Sequence, residues 1–131
     1  MNDIETWIDS IFKNTIPDEV VAIAFNLYEE ENNQWSIEMI GSSSFDVEDS
    51  DWACDEIFDT RDHMLSWTQD AAWEEILQEA VEKIQKYVEA GTYAEQMKSY
   101  SGIGVGFVDG DLIIVHQKLS YSLAVRGSPV N

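Results

Sequence analysis

The chain has 131 residues, 44% of them apolar, with five each of Trp, Tyr and Phe, enough for one ordinary core and too many for a disordered segment. Against seven Lys and Arg stand 26 Asp and Glu, a net charge of −19 that repels nucleic acid and anionic membrane and attracts basic partners. A single cysteine, Cys54, excludes an internal disulfide, no apolar run approaches the roughly 18 residues of a membrane span, and the acidic start lacks an export signal, so a cytoplasmic single domain over 1–131 is expected.

From the amino terminus, Ile4, Trp7, Ile8, Ile11 and Phe12 follow helical spacing. They predict a short helix over 3–14, capped by Asn2 or Asp3 and stopped before Pro17. Residues 20–28 alternate Val21, Ile23, Phe25 and Leu27 against Ala22, Ala24, Asn26 and Tyr28, the period of a strand. After the polar turn 30–34, Trp35, Ile37 and Met39 alternate with Ser36, Glu38 and Ile40, so 20–40 reads as an antiparallel hairpin.

The next stretch, 45–62, is the most heavily charged. Asp46, Glu48, Asp49, Asp51, Asp55, Glu56, Asp59 and Asp62 stand against the single Arg61. A third strand in its second half would put Trp52, Cys54, Glu56 and Phe58 on one face, a pattern that Glu56 breaks.

Over 70–90, Trp73, Ile76, Leu77, Ala80, Val81, Ile84, Tyr87 and Val88 form the apolar stripe of a long helix. Glu79, Lys83, Glu82 and Lys86 lie on its wet side in the favourable order four apart. Thr68 or Asp70 is placed to cap it and Gly91 to stop it in a left-handed conformation. A stripe this large requires a sheet beneath it.

A shorter helical piece is expected over 92–98. Then 103–116 reads as a second hairpin about Asp109-Gly110, where both residues tolerate positive φ. Glycines at 102, 104 and 106 imply a bulky group close to that strand, read as an aromatic ring from the helix. The tail from Ser120 either adds an edge strand over 121–125 or frays. The expected fold class is α+β, an antiparallel sheet of four to five strands packed by the long helix and the amino-terminal helix.

No chemical motif stands out. Residues 46–56 have the acid density of a calcium loop without its sixth-position glycine and twelfth-position glutamate, and His63, His116 and Cys54 are too isolated for a zinc pattern. Gly102, Gly104 and Gly106 lack dinucleotide-binding spacing and run into a hairpin, so they read as structural, and no phosphate loop or nucleophile elbow is present. Among 26 acids, any chosen carboxylate pair is uninformative. Neither enzyme, metal nor cofactor is expected. Solubility or salt adaptation would explain the acidity plainly, although the chain keeps its large aliphatics and five tryptophans.

Acids interleaved with rings also fit a surface that occupies the cationic cleft of a nucleic-acid enzyme, with carboxylates in place of phosphates. With its runs Ser44-Phe45-Asp46, Asp51-Trp52-Ala53-Cys54-Asp55-Glu56 and Val105-Gly106-Phe107-Val108-Asp109-Gly110-Asp111, the chain resembles the small acidic immunity proteins of bacterial polymorphic-toxin and contact-dependent growth inhibition systems. The resemblance implies a non-enzymatic inhibitor of a cognate protein toxin, best suited to a basic nuclease, with no nucleic acid or membrane as partner. The residues expected to bind the toxin are Asp46, Glu48, Asp49, Asp51, Trp52, Asp55, Glu56, Asp59 and Asp62. The alternative is an adaptor or assembly module that binds through apolar or sheet-edge contacts.

Overall fold

A computed structural model describes residues 1–118. The elements run α1 (Ile4–Phe12), β1 (Ala22–Glu29), β2 (Gln34–Ser42), β3 (Glu56–Asp59), β4 (Leu65–Thr68), α2 (Trp73–Ala90), α3 (Ala94–Lys98), β5 (Gly102–Phe107) and β6 (Ile113–Gln117), with 3₁₀ turns at Ser50–Cys54 and Arg61–His63. The protein is α+β. Its sheet has the order β3-β2-β1-β5-β6, and β4 pairs with β2 as well. Since β1 occupies one edge of β2, β3 and β4 share the other, β3 against Ile40–Ser42 and β4 against Gln34–Ile37.

Both expected hairpins form, but they join through a parallel β1–β5 pair, so the sheet is mixed and not antiparallel throughout. Parallel neighbours need a long crossover, and the stretch between β1 and β5, which carries β2, β3, β4, α2 and α3, supplies it. Among the described residues no helix is long and apolar enough to cross a membrane.

Strand alternation separates two faces. Ile23, Phe25 and Leu27 of β1, Trp35, Ile37 and Met39 of β2, and Ile103 and Val105 of β5 meet Trp7, Ile8, Ile76, Ala80, Ile84 and Tyr87 of the helices in the main core. Burial of side chains this size stabilises by about 1.5–3 kcal/mol each. The helices are tied together by the Tyr87 hydroxyl, which donates to Asp9 Oδ1 at 2.5 Å. On the opposite face, β1 and β2 present Ala22, Ala24 and Ile40 beside the glycines of β5, and Trp52 packs over them as a second, smaller core.

Local details depart from expectation where space, not conformational preference, decides. The tight hairpin turn is at Asn32-Asn33, with φ of 58° and 60°, whereas among the described residues no glycine has positive φ and residues 108–112 make a longer loop in place of the tight Asp-Gly turn. Gly91 ends α2 in an extended conformation; a Cβ there would run into the Tyr87 ring. Asp3 and Ala72 occupy the helix cap positions without a side-chain capping bond, so the expected caps are not made. The bulky group over β5 comes from the acidic segment, not the helix. The Phe45 ring lies where a Gly102 side chain would be, Trp52 and Leu112 lie at 3.4 and 3.5 Å from a Gly104 Cβ, and the Asp111 carbonyl crowds Gly106. The edge strand expected over 121–125 lies outside the described residues.

Candidate functional site

The acidic segment is seated from below. Trp52 is 4% exposed and packs edge-on to Phe45, with ring centroids 5.2 Å apart. The Ser42 hydroxyl donates to the Trp52 carbonyl at 2.6 Å, and Ser43 N–H donates to the Asp55 carbonyl at 3.0 Å. Trp52, expected on the binding surface, is therefore an anchor, and Phe58 is half-buried against the main core. The apolar side chains the segment does expose are Val47 and Ile57. Sequence alternation misplaced Trp52 because a 3₁₀ turn, not a strand, precedes Asp55.

With the rings turned inward, the carboxylates form the outer surface. Asp46, Asp49, Asp51 and Asp55 line one hollow of about 510 Å³ together with Ser44 and Cys54, and Phe45 and Trp52 form part of its wall. Their backbone is ordered by their own oxygens: Asp46 Oδ1 accepts from Glu48 N–H at 2.9 Å, Asp49 Oδ1 from Asp51 N–H at 3.0 Å, and Asp55 Oδ2 from the Ser44 hydroxyl at 2.6 Å. Glu48 and Asp62 are exposed but outside that lining. Among the described residues none of these six pairs with a cation.

Glu56 and Asp59 are brought together elsewhere. A register shift between Gly41 and Ser42 puts both on the side of the sheet away from the helices, where Arg61 bridges them. Its two terminal nitrogens hold Glu56 at 2.5 and 2.6 Å, and Nη1 lies 3.3 Å from Asp59. Arg61 Nε also lies 3.0 Å from Oε1 of Glu38, outside good hydrogen-bond alignment. The Glu38 side chain is fully buried, and its Oε2 accepts from Asn26 at 3.0 Å and from the Tyr28 hydroxyl at 2.5 Å. Sequence reading missed this network; a lone Glu in an apolar strand, facing Asn26 in the paired strand, was its one signal.

Burial, reinforced by the hydrogen bond to Glu38, pushes the Tyr28 phenol up to about 12 from its ordinary 10.0. A raised folded-state value contributes stability that is fully present below pH 10.0 and lost as pH rises through about 12. Burial raises Tyr87 and Tyr100 in the same direction, so their contributions too are lost only at alkaline pH above the ordinary phenol value. The Tyr28→Phe variant is expected to lose less stability than the parent between pH 10 and 12, read from urea midpoints across that window. An unchanged slope would show that Tyr28 ionises alike in both states.

No group of three or more His, Cys, Asp or Glu side chains among the described residues converges closely enough to hold a metal ion. Comparisons with protein-family models, with curated proteins and with solved structures return no match to the chain.

Proposed function

We propose that the protein is a non-enzymatic inhibitor that binds a basic partner protein, as an immunity protein neutralises a toxin such as a basic nuclease, through the hollow lined by Asp46, Asp49, Asp51 and Asp55. The observation that carries this reading is the combination of four carboxylates around one concavity, unpaired with any cation among the described residues, with a backbone fixed from beneath by Trp52 and Phe45. A fixed anionic surface loses little entropy on docking, and its field speeds encounter with a positive cleft. The net charge of −19 extends that field.

Converting Asp46, Asp49, Asp51 and Asp55 together to Asn is expected to slow association with the basic protein recovered from the source cells about tenfold at low salt, and to flatten the salt dependence of the rate. Stopped-flow mixing from 20 mM to 500 mM NaCl reads both. Unchanged association and unchanged protection of cells co-expressing the partner would refute the site. The outer edge of β6 pairs with no described strand and Ile113 is 41% exposed there, which favours sheet-edge binding as a second reading. Affinity that hardly responds to salt would select it.

A further inference from the structure

At the other end of β1, about 20 Å from the carboxylate hollow by strand rise, lies a larger concavity that the acidic segment does not reach. It has a volume of about 640 Å³ and is bounded by the carboxyl ends of the parallel strands β1 and β5 and by the first turn of α2. Such a volume is in the range of small-ligand pockets.

Its walls combine aromatic surface with negative charge. Trp73 is 49% exposed although it opens a helix whose other large apolar residues are mostly covered. Its ring is held: it meets Phe107 at 6.0 Å and 90°, and Phe107 in turn meets the buried Trp35 at 6.0 Å and 64°. Tyr28 also borders the concavity, with its hydroxyl committed to Glu38. Glu30 is fixed by the Ser36 hydroxyl, which donates to one of its oxygens at 2.7 Å, and Glu29 and Asp109 are exposed beside it. None of the described residues lining the concavity is basic, and none of these three acids pairs with a cation among them. The positive start of α2 is offset by Glu74 and Glu75 in its first turn.

These features select one ligand chemistry. An anion meets three carboxylates, and a bare metal ion lacks a close oxygen cluster. A wholly apolar ligand leaves the acids unused. An ammonium or guanidinium head on an apolar stem satisfies both walls, the charge against Glu29, Glu30 and Asp109 and the stem against the rings. We propose that this concavity binds an organic cation, with Trp73 as its aromatic surface and Glu30 and Asp109 as its counter-charges.

The indole N–H signals of a ¹⁵N-labelled sample test this, with the Trp73 signal assigned by its loss in Trp73→Phe. Tetramethylammonium and agmatine, titrated at constant ionic strength, should shift the Trp73 signal saturably, with the signals of buried Trp7 and Trp52 unmoved. The neutral isostere 3,3-dimethylbutanol should bind at least tenfold more weakly, and Glu30→Gln with Asp109→Asn should weaken agmatine about tenfold. Comparing agmatine with acetyl-Gly-Arg-Gly-amide distinguishes a free cation from a polypeptide side chain; tighter binding of either supports the site. Equal binding of the neutral isostere, no saturable shift with any cation, or full affinity in the double variant would overturn it. Neutralising the distant carboxylate hollow should leave the titration unchanged, so this site and the inhibitor surface fail independently.

Discussion

Trp52→Ala is expected to destabilise the protein by about 3–5 kcal/mol, the range for removing a large aromatic from a core that cannot collapse around the gap. Here the neighbours are Ala22, Ala24, Ile40 and the glycines of β5, too small or too constrained by strand pairing to fill the space. For a chain of this size the loss corresponds to a fall in Tm of about 10–20 °C. Phe45 loses its edge-on partner as well, so the segment 43–55 should become the first site cut by a protease under native conditions. Trp52→Phe is the control. It keeps a ring over the alanines and removes an indole N–H that is buried without a hydrogen-bond partner, so its cost is expected to be about 1 kcal/mol. Equal losses for the two variants, or a Trp52→Ala protein as protease-resistant as the parent, would show that the segment is held by something other than this ring.

The same residue shows where the sequence is legible and where it is not. The period-two patterns over 20–28 and 35–40 and the stripe within 70–90 identify β1, β2 and α2 because each pattern is imposed by one repeating contact with the sheet or helix core. The 3₁₀ turn at Ser50–Cys54 has no such period, so alternation assigned its Trp52 to a strand face. The glycines of β5 correctly announced a close-packed ring, but spacing alone does not say which distant residue supplies it, and Phe45 and Trp52 answer from across the sheet. β4 is four residues long and was not recognised, since its identity rests on pairing with Gln34–Ile37. The acidity of 46–62 was plain in the sequence; that four of its acids share one hollow while Glu56 and Asp59 turn to Arg61 depends on a register shift that composition does not encode.

Arg61 gives the second large effect, and it separates charge from structure. Its guanidinium is the one cation beside the fully buried Glu38 among the described residues, so Arg61→Ala leaves that carboxylate with only Asn26 and Tyr28. Breaking a buried pair costs about 3–5 kcal/mol; with the Arg61 side chain 50% exposed, about 2–3 kcal/mol is expected. Glu38→Gln keeps the hydrogen-bonding shape and removes the charge, so adding it to Arg61→Ala should recover about 1–2 kcal/mol, a coupling read from a double-mutant cycle in urea. Strict additivity would mean that Glu38 and Arg61 do not act as a pair. The cycle also bears on binding. Removing Arg61 makes the acidic face one charge more negative, so if its carboxylates steer a basic partner and the fold survives, Arg61→Ala should speed association at low salt even as it lowers the melting temperature. Slower association would mean that the shape maintained by the Glu38–Arg61 network, and not the field of the exposed acids, governs recognition.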